Sequence, residues 1–238
     1  MSPRSVLKQR AKESIKLSKP NAALVYFVYV VVVALLQYLA SLISGTGRIT
    51  EALIDSANGG AVSATMSYHP NAFGAILAVA IGVMIAILAV GFTSYSLSIS
   101  RGAKAGFVNL LDGFNVFLRA LWLEILIGIF VFLWSLLLIV PGIIAAYRYS
   151  QACYIMLDNP DMSALECITA SKNLMRGHKW EKFVLDLSFI LWRLLCIIPI
   201  AMFWVDPYYS VTCANYYNEL IGSKFEEASP VYDYGENY

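Results

Sequence analysis

Residues 73–99 read FGAILAVAIGVMIAILAVGFTSYSLSI, a run without a single charged side chain. A hydrocarbon core about 30 Å thick is crossed by about 20 mostly apolar residues in a helix. The run exceeds that length, so it predicts a membrane-crossing helix. The rest of the chain agrees. Of 238 residues, 59% are hydrophobic and only 14% charged, whereas a soluble domain carries about 45–50% apolar and about 25% charged residues. There is too little charge to coat a water-soluble globule of this size. The composition excludes a disordered chain, a nucleic-acid binder with a broad basic face and a disulfide-stapled secreted module. The fold class expected is all-α, a polytopic integral membrane helical bundle.

Three more segments meet the spanning length well: 22–44, 119–140 and 183–204. Two are weaker. Segment 142–157 is short, and 207–222 carries Asn215, Asn218, Glu219 and four tyrosines. Together they predict about six transmembrane helices within 22–222. The first reads as a retained anchor, because its apolar stretch exceeds the roughly 7–15 residues of a signal-peptide core.

Orientation follows the bias of Lys and Arg toward the cytoplasm. Arg4, Lys8, Arg10, Lys12, Lys16 and Lys19 precede the first span. Arg101, Lys104 and Arg119 lie in the second same-side segment, and Lys172, Arg176, Lys179 and Lys182 in the third, with Lys224 in the tail. The opposite side holds only Arg48. A multi-pass protein of the cell membrane with both termini cytoplasmic is expected.

Two amphipathic interfacial helices are expected beside the spans. Residues 1–21 form the first, with Ser2 as cap, Pro3 at the first helical position and Leu7, Ala11 and Ile15 on one face. Its basic face suits an inner leaflet. The second covers 161–177, where Ser163 and Glu166 have capping-box spacing and Gly177 is a stop. Its expected apolar face is Ala164, Leu165, Cys167, Ile168, Ser171, Leu174 and Met175. Lys172, Arg176, His178, Lys179 and Lys182 are expected to face lipid headgroups, so anionic lipids are the first partners predicted. Residues 45–72 read as a flexible outer connector and 223–238 as an acidic disordered tail. Gly74, Ala78, Gly82 and Ala86 recur at i+4 and predict a close helix-packing face. Pro141-Gly142 predicts a helical hairpin turn, and Asp206-Pro207 the outer turn between the last two spans.

These residues resemble a family of bacterial polytopic membrane proteins, the domain-of-unknown-function family numbered 975. The likeness rests on Leu7-Lys8 with Ala11-Lys12, on Leu133-Trp134 leading to Pro141-Gly142-Ile143-Ile144, and on Tyr147 and Tyr149 ahead of Asp158-Asn159-Pro160. It continues through Ser171, Met175, Gly177-His178-Lys179, Ser188-Phe189-Ile190-Leu191-Trp192, and Pro207-Tyr208 with Tyr216, Tyr217 and Leu220. The chain departs from it at Ala145 and Arg148, since such proteins often carry a lysine directly after Gly-Ile-Ile. The resemblance implies a six-helix integral membrane protein of bacteria and no activity. A looser likeness joins the helix at 164–177 to the non-catalytic membrane domains of some glycerophosphodiester phosphodiesterases.

Ionisable groups inside spans are costly and are functional candidates by default. Here they are Glu124, Arg148, Asp186 and Arg193. An Arg at a helix centre costs about 2.5–3.5 kcal/mol, while each Leu, Ile or Phe returns about 0.3–0.6 kcal/mol. Arg193 is therefore expected to face the bundle interior or a watery cavity. Asp186 and Arg193, seven apart, share a helix face, and a long Arg can bend toward a carboxylate. These four predict either a structural polar network or a site for an anionic solute or lipid headgroup. No metal site is expected: His69 and His178 lie on opposite sides of the membrane and neither has zinc spacing. Cys153, Cys167, Cys196 and Cys213 are scattered, so free thiols are expected. No phosphate loop, dinucleotide fingerprint or nucleophile elbow is present, so no cofactor and no catalytic residue is assigned. The function expected is a non-catalytic scaffold, regulator or envelope-associated factor, with a protein partner or a second copy as candidate company. The rival is a small transporter or permease for an anionic solute or lipid, using the intramembrane arginines. A third reading, an intramembrane enzyme, would need Glu124 and Asp186 to meet.

Overall fold

The structure, a computed structural model, describes residues 3–44, 72–194 and 199–228. The expected connector up to residue 71, His69, Cys196 and the tail beyond residue 228 lie outside the described residues. The described chain forms helices α1 (Arg4–Leu17), α2 (Ala22–Ser44), α3 (Ala72–Ser100), α4 (Asp112–Asn115), α5 (Phe117–Leu137), α6 (Ile139–Tyr149), α7 (Ala152–Asp158), α8 (Ala164–Leu174), α9 (Lys179–Leu194) and α10 (Pro199–Ala228). A 3-10 turn, Phe107–Leu111, precedes α4. No strand occurs among the described residues.

Among the described residues, three helices are long and apolar enough to cross a membrane, over Ala22–Leu42, Phe73–Ser100 and Phe117–Leu137. Their large side chains point outward, among them Leu35, Leu39 and Leu42 on α2, Ile76 and Val79 on α3, and Phe132 and Leu136 on α5. Such an apolar exterior suits lipid and not water.

The other expected spans are drawn differently. Segment 142–157 is not one helix: α6 ends at Tyr149 and α7 begins at Ala152. The hairpin before it turns three residues ahead of the expected Pro141, at Leu138, whose backbone is extended. Pro141 then sits in the first turn of α6, where its missing N–H costs nothing. Gly142 lets the two arms close, because a Cβ there would fall 2.9 Å from Ser135 Cα. The expected span 183–204 is also corrected. Helix α9 stops at Leu194, and α10 starts at Pro199 and runs through Asp206-Pro207 without turning. Pro207 is buried inside α10, so packing and neighbouring helices offset the lost backbone bond. Residues 223–228, expected in the tail, continue this helix.

Helix α10 is the central post. It contributes Val211 to a cluster with Ala11, Val25, Tyr95 and Ile99, Tyr217 to a second with Leu123, Tyr154 and Cys167, and Leu220 to a third with Leu7, Leu185 and Phe189. Polar ties reinforce it. Arg101 makes a two-pronged pair with Asp158 at 2.6 and 2.7 Å. Tyr217 donates to the same carboxylate at 2.9 Å, and Arg101 Nε donates to Asn218 at 3.0 Å. Near the start of α10, Tyr26 donates to Asp206 at 2.6 Å.

Helices form within both segments expected beside the spans, at Arg4–Leu17 and Ala164–Leu174. In α8, Ser163 N–H donates to Glu166 at 2.7 Å and Glu166 N–H donates to Ser163 Oγ at 3.3 Å, closing the capping box. Hydrogen bonds from the Ser163 backbone and hydroxyl hold the Glu166 carboxyl below its ordinary range. Gly177 ends this segment at φ +88°, a conformation that favours glycine. Ala164, Cys167, Ile168, Ser171 and Met175 are buried, but Leu165 is exposed. In α1 the cap is Pro3, so proline stands one position before the first helical residue. Its apolar face does not lie bare on a leaflet. Leu7 and Ala11 are buried within the protein. Lys8 donates to the Ser188 carbonyl at 3.2 Å and lies 4.2 Å from the Phe189 ring centre. Its long stem covers apolar surface while its ammonium finds oxygen and ring.

The expected small-residue face on α3 is met in part: Gly74 is buried and Ala86 lies beside Ala120 and Leu121 of α5. Gly82 meets nothing within 4 Å, whereas Gly91 and Gly113 are where backbones touch. A Cβ on Gly91 would fall 2.0 Å from the Leu110 carbonyl oxygen, and one on Gly113 2.1 Å from that of Ile87.

Candidate functional site

Residues four apart on a helix share a face. Helix α9 carries Lys182 and Asp186, and α10 carries Tyr209 and Cys213, each at that spacing. The two pairs meet. Lys182 Nζ donates to Asp186 Oδ1 at 2.5 Å, and lies 3.5 Å from Tyr209 Oη and 3.4 Å from Cys213 Sγ. Tyr209 Oη donates to Asp186 Oδ1 at 3.0 Å. One carboxylate oxygen thus receives both an ammonium and a phenol. The Arg193 guanidinium sits 4.6 Å from the centre of the Tyr209 ring, a favourable stacking of cation on aromatic face.

The opposite wall comes from the break between α6 and α7. A helix end leaves carbonyls unpaired and a helix start leaves N–H groups unpaired. Ser171 on α8 answers both, donating to the Arg148 carbonyl at 3.0 Å and accepting from the Gln151 N–H at 3.2 Å. The Gln151 side chain is then oriented by a relay. Its Nε2 donates to Ser150 Oγ at 2.9 Å, and Ser150 Oγ donates to the Tyr147 carbonyl at 2.9 Å. Gln151 is 1% exposed, and its Oε1 is buried with no hydrogen-bond partner. Between these walls lies a cleft of about 420 Å³, lined by Tyr147, Ser150, Gln151, Lys182, Asp186 and Tyr209, among others. That volume lies within the range of small-molecule sites, about 300–1,000 Å³.

The four intramembrane candidates are not gathered into one network. Glu124 stands apart on α5, beside Val83 and Ala86 of α3. Arg148 is half-buried at the end of α6, and it is its carbonyl that is bound. Asp186 and Arg193 meet only through Tyr209. The expected Asp186–Arg193 contact gives way to Asp186–Lys182, for a reason of distance. Seven residues advance a helix by about 10 Å, four by about 6 Å. Arg193 is exposed.

Among the expected headgroup-facing residues, Lys172 and Arg176 are exposed and Lys179 is half-exposed. His178 Nδ1 lies 3.1 Å from Glu181, and its carbonyl accepts from Tyr216 at 2.9 Å. Lys182 is a correction. It is 5% exposed and points into the protein, because Asp186 one turn on neutralises it where lipid or water would otherwise be needed. Reading the sequence alone also misses Gln151, Tyr209 and Cys213. The paired i,i+4 spacings are the signal that could have found Lys182 and Tyr209; Gln151 has none. Cys153, Cys167 and Cys213 are free thiols. Among the described residues, no group of three His, Cys, Asp or Glu could hold a metal.

The family described as Protein of unknown function (DUF975) matches residues 1–145 and 135–224, and so nearly the whole chain. No curated protein matches. No solved structure matches.

Proposed function

This chain belongs to the DUF975 family, and from that premise we propose that it is a non-catalytic multi-pass protein of the bacterial cytoplasmic membrane. Both termini face the cytoplasm, and the protein acts as a scaffold or regulator in the envelope. One observation carries the reading. Arg101, exposed just past the end of α3, pairs with Asp158 at the end of α7 and, through that carboxylate, with Tyr217 of α10, so segments remote in sequence are tied together. Satisfied polar networks of this kind rigidify a bundle. Helix α1 supports the same reading, since its inner face is docked and its Arg4, Arg10 and Lys16 remain outward. Those cations can meet anionic lipid or an acidic partner.

The experiment is native mass spectrometry after gentle extraction from the host membrane. A stoichiometric protein partner is the expected result, lost when Arg4, Arg10 and Lys16 are changed to Glu. A chain that emerges without a protein partner overturns the scaffold reading. A second reading is favoured by the cleft beside Gln151: a protein that holds or passes a small polar solute or a lipid headgroup.

A further inference from the structure

Three properties of the cleft define what it would hold. The first is charge. Lys182 and Asp186 neutralise one another at 2.5 Å, and neither Arg148 nor Arg193 is in its lining. An incoming anion would meet the Asp186 carboxylate, and an incoming cation the Lys182 ammonium. The second is hydrogen bonding. The Gln151 relay fixes Nε2 as the donor toward Ser150, so Oε1 is an acceptor with nothing to accept. An orphaned buried acceptor costs about 1–3 kcal/mol. The third is shape and surface. Tyr147, Tyr154 and Tyr209 supply aromatic wall, while Ser150 and Gln151 supply hydroxyl and amide. Aromatic faces with a few convergent polar groups fit a molecule with both C–H and O–H faces.

We propose that the cleft between α6, α7, α9 and α10 binds a neutral polyhydroxyl group of sugar type, one of whose hydroxyls donates to Gln151 Oε1 once the sealed side chain turns toward the cleft it lines. The group is either a free sugar or the headgroup of a glycolipid. This deepens the second reading above by naming the substrate class. It replaces the anion expected from the intramembrane arginines, since those arginines do not line the cleft.

The full-length protein in phosphatidylcholine nanodiscs provides the test. One set of discs contains monoglucosyl diacylglycerol, another diacylglycerol with the same chains, and methyl β-glucoside serves as the free sugar. The expected result is retention of a glucosyl compound over plain diacylglycerol, which offers a single hydroxyl and no sugar ring, and retention about fivefold to tenfold weaker in Gln151→Met, the effect of one net hydrogen bond. That variant keeps the side-chain volume and removes the orphaned oxygen, so its thermal unfolding should not fall. Displacement of the glucosyl lipid by methyl β-glucoside assigns the site to a free sugar; retention against it assigns the site to a glycolipid. Equal binding of glucosyl and plain diacylglycerol without binding of methyl β-glucoside overturns the proposal. So does undiminished binding by Gln151→Met. Should the variant not fold, the discrimination by the unaltered protein decides. Release of the protein from membranes by alkaline carbonate would sink the membrane reading alone, because the methyl β-glucoside measurement still reports on the cleft.

Discussion

At the scale of single residues, the same amino acid has opposite consequences depending on what stands opposite it. Gly82 and Gly91 are both in the interior of α3, nine residues apart and so on opposite sides of the helix. Gly82 meets nothing within 4 Å, while a Cβ on Gly91 would press 2.0 Å from a backbone carbonyl oxygen. A backbone atom cannot swing aside as a side chain can. Gly91→Ala should therefore lower stability by about 1–3 kcal/mol, the range for forcing an extra group into a packed contact. Gly82→Ala should raise it by up to about 1 kcal/mol through reduced freedom of the unfolded chain. Chemical unfolding of both variants in mixed micelles checks this, and equal stabilities would contradict the packing described for the Leu110 carbonyl. Lys182 gives the same lesson for charge. Its neighbours in sequence make it one of a basic cluster, yet the carboxylate one turn on allows it to be buried.

At the scale of elements, α9 and α10 are joined by a polar seam and not by apolar packing alone. Asp186 is a quarter exposed and Lys182 nearly sealed, so the two partners are not equivalent. Removing the carboxylate leaves an ammonium buried without its counter-charge, whereas removing both leaves an apolar contact. Asp186→Ala should cost about 2–3 kcal/mol, less than a fully buried pair because water reaches the carboxylate. The double variant Lys182→Met with Asp186→Leu should lie within about 1 kcal/mol of the original protein. Unfolding measured on both variants checks the claim; a double variant as weak as the single one would show that Lys182 is held by something else. Helix α8 is the contrasting case, an element whose start and stop were legible in the sequence. Ser163, Glu166 and Gly177 act through bonds and angles within a few residues of themselves, so no knowledge of the neighbours is required. Leu165 was misassigned because that helix buries a narrower strip than its apolar residues would fill.

At the scale of the whole molecule, an apolar exterior surrounds a core built on α10. The proposed topology predicts that alkaline phosphatase fused after Tyr238 is inactive and the same enzyme inserted at Arg48 is active, because that reporter folds only outside the cytoplasm. Activity at Tyr238 would reverse the orientation argued from Lys and Arg. Much of the fold was legible in composition and periodicity: helices without strands among the described residues, three of the six expected spans as helices able to cross a membrane, and helices at 4–17 and 164–174. The candidate site was legible only in Asp186. Those features are set by the chain itself, through transfer of apolar side chains out of water and through caps made by near neighbours. Tertiary structure alone decided that α10, the least apolar expected span, became the central post, that Lys8 of the first helix reached Ser188 of the ninth, and that Gln151 was sealed with an unmet acceptor. Such outcomes depend on which faces meet across the bundle, and a periodic pattern names a face without naming what will cover it.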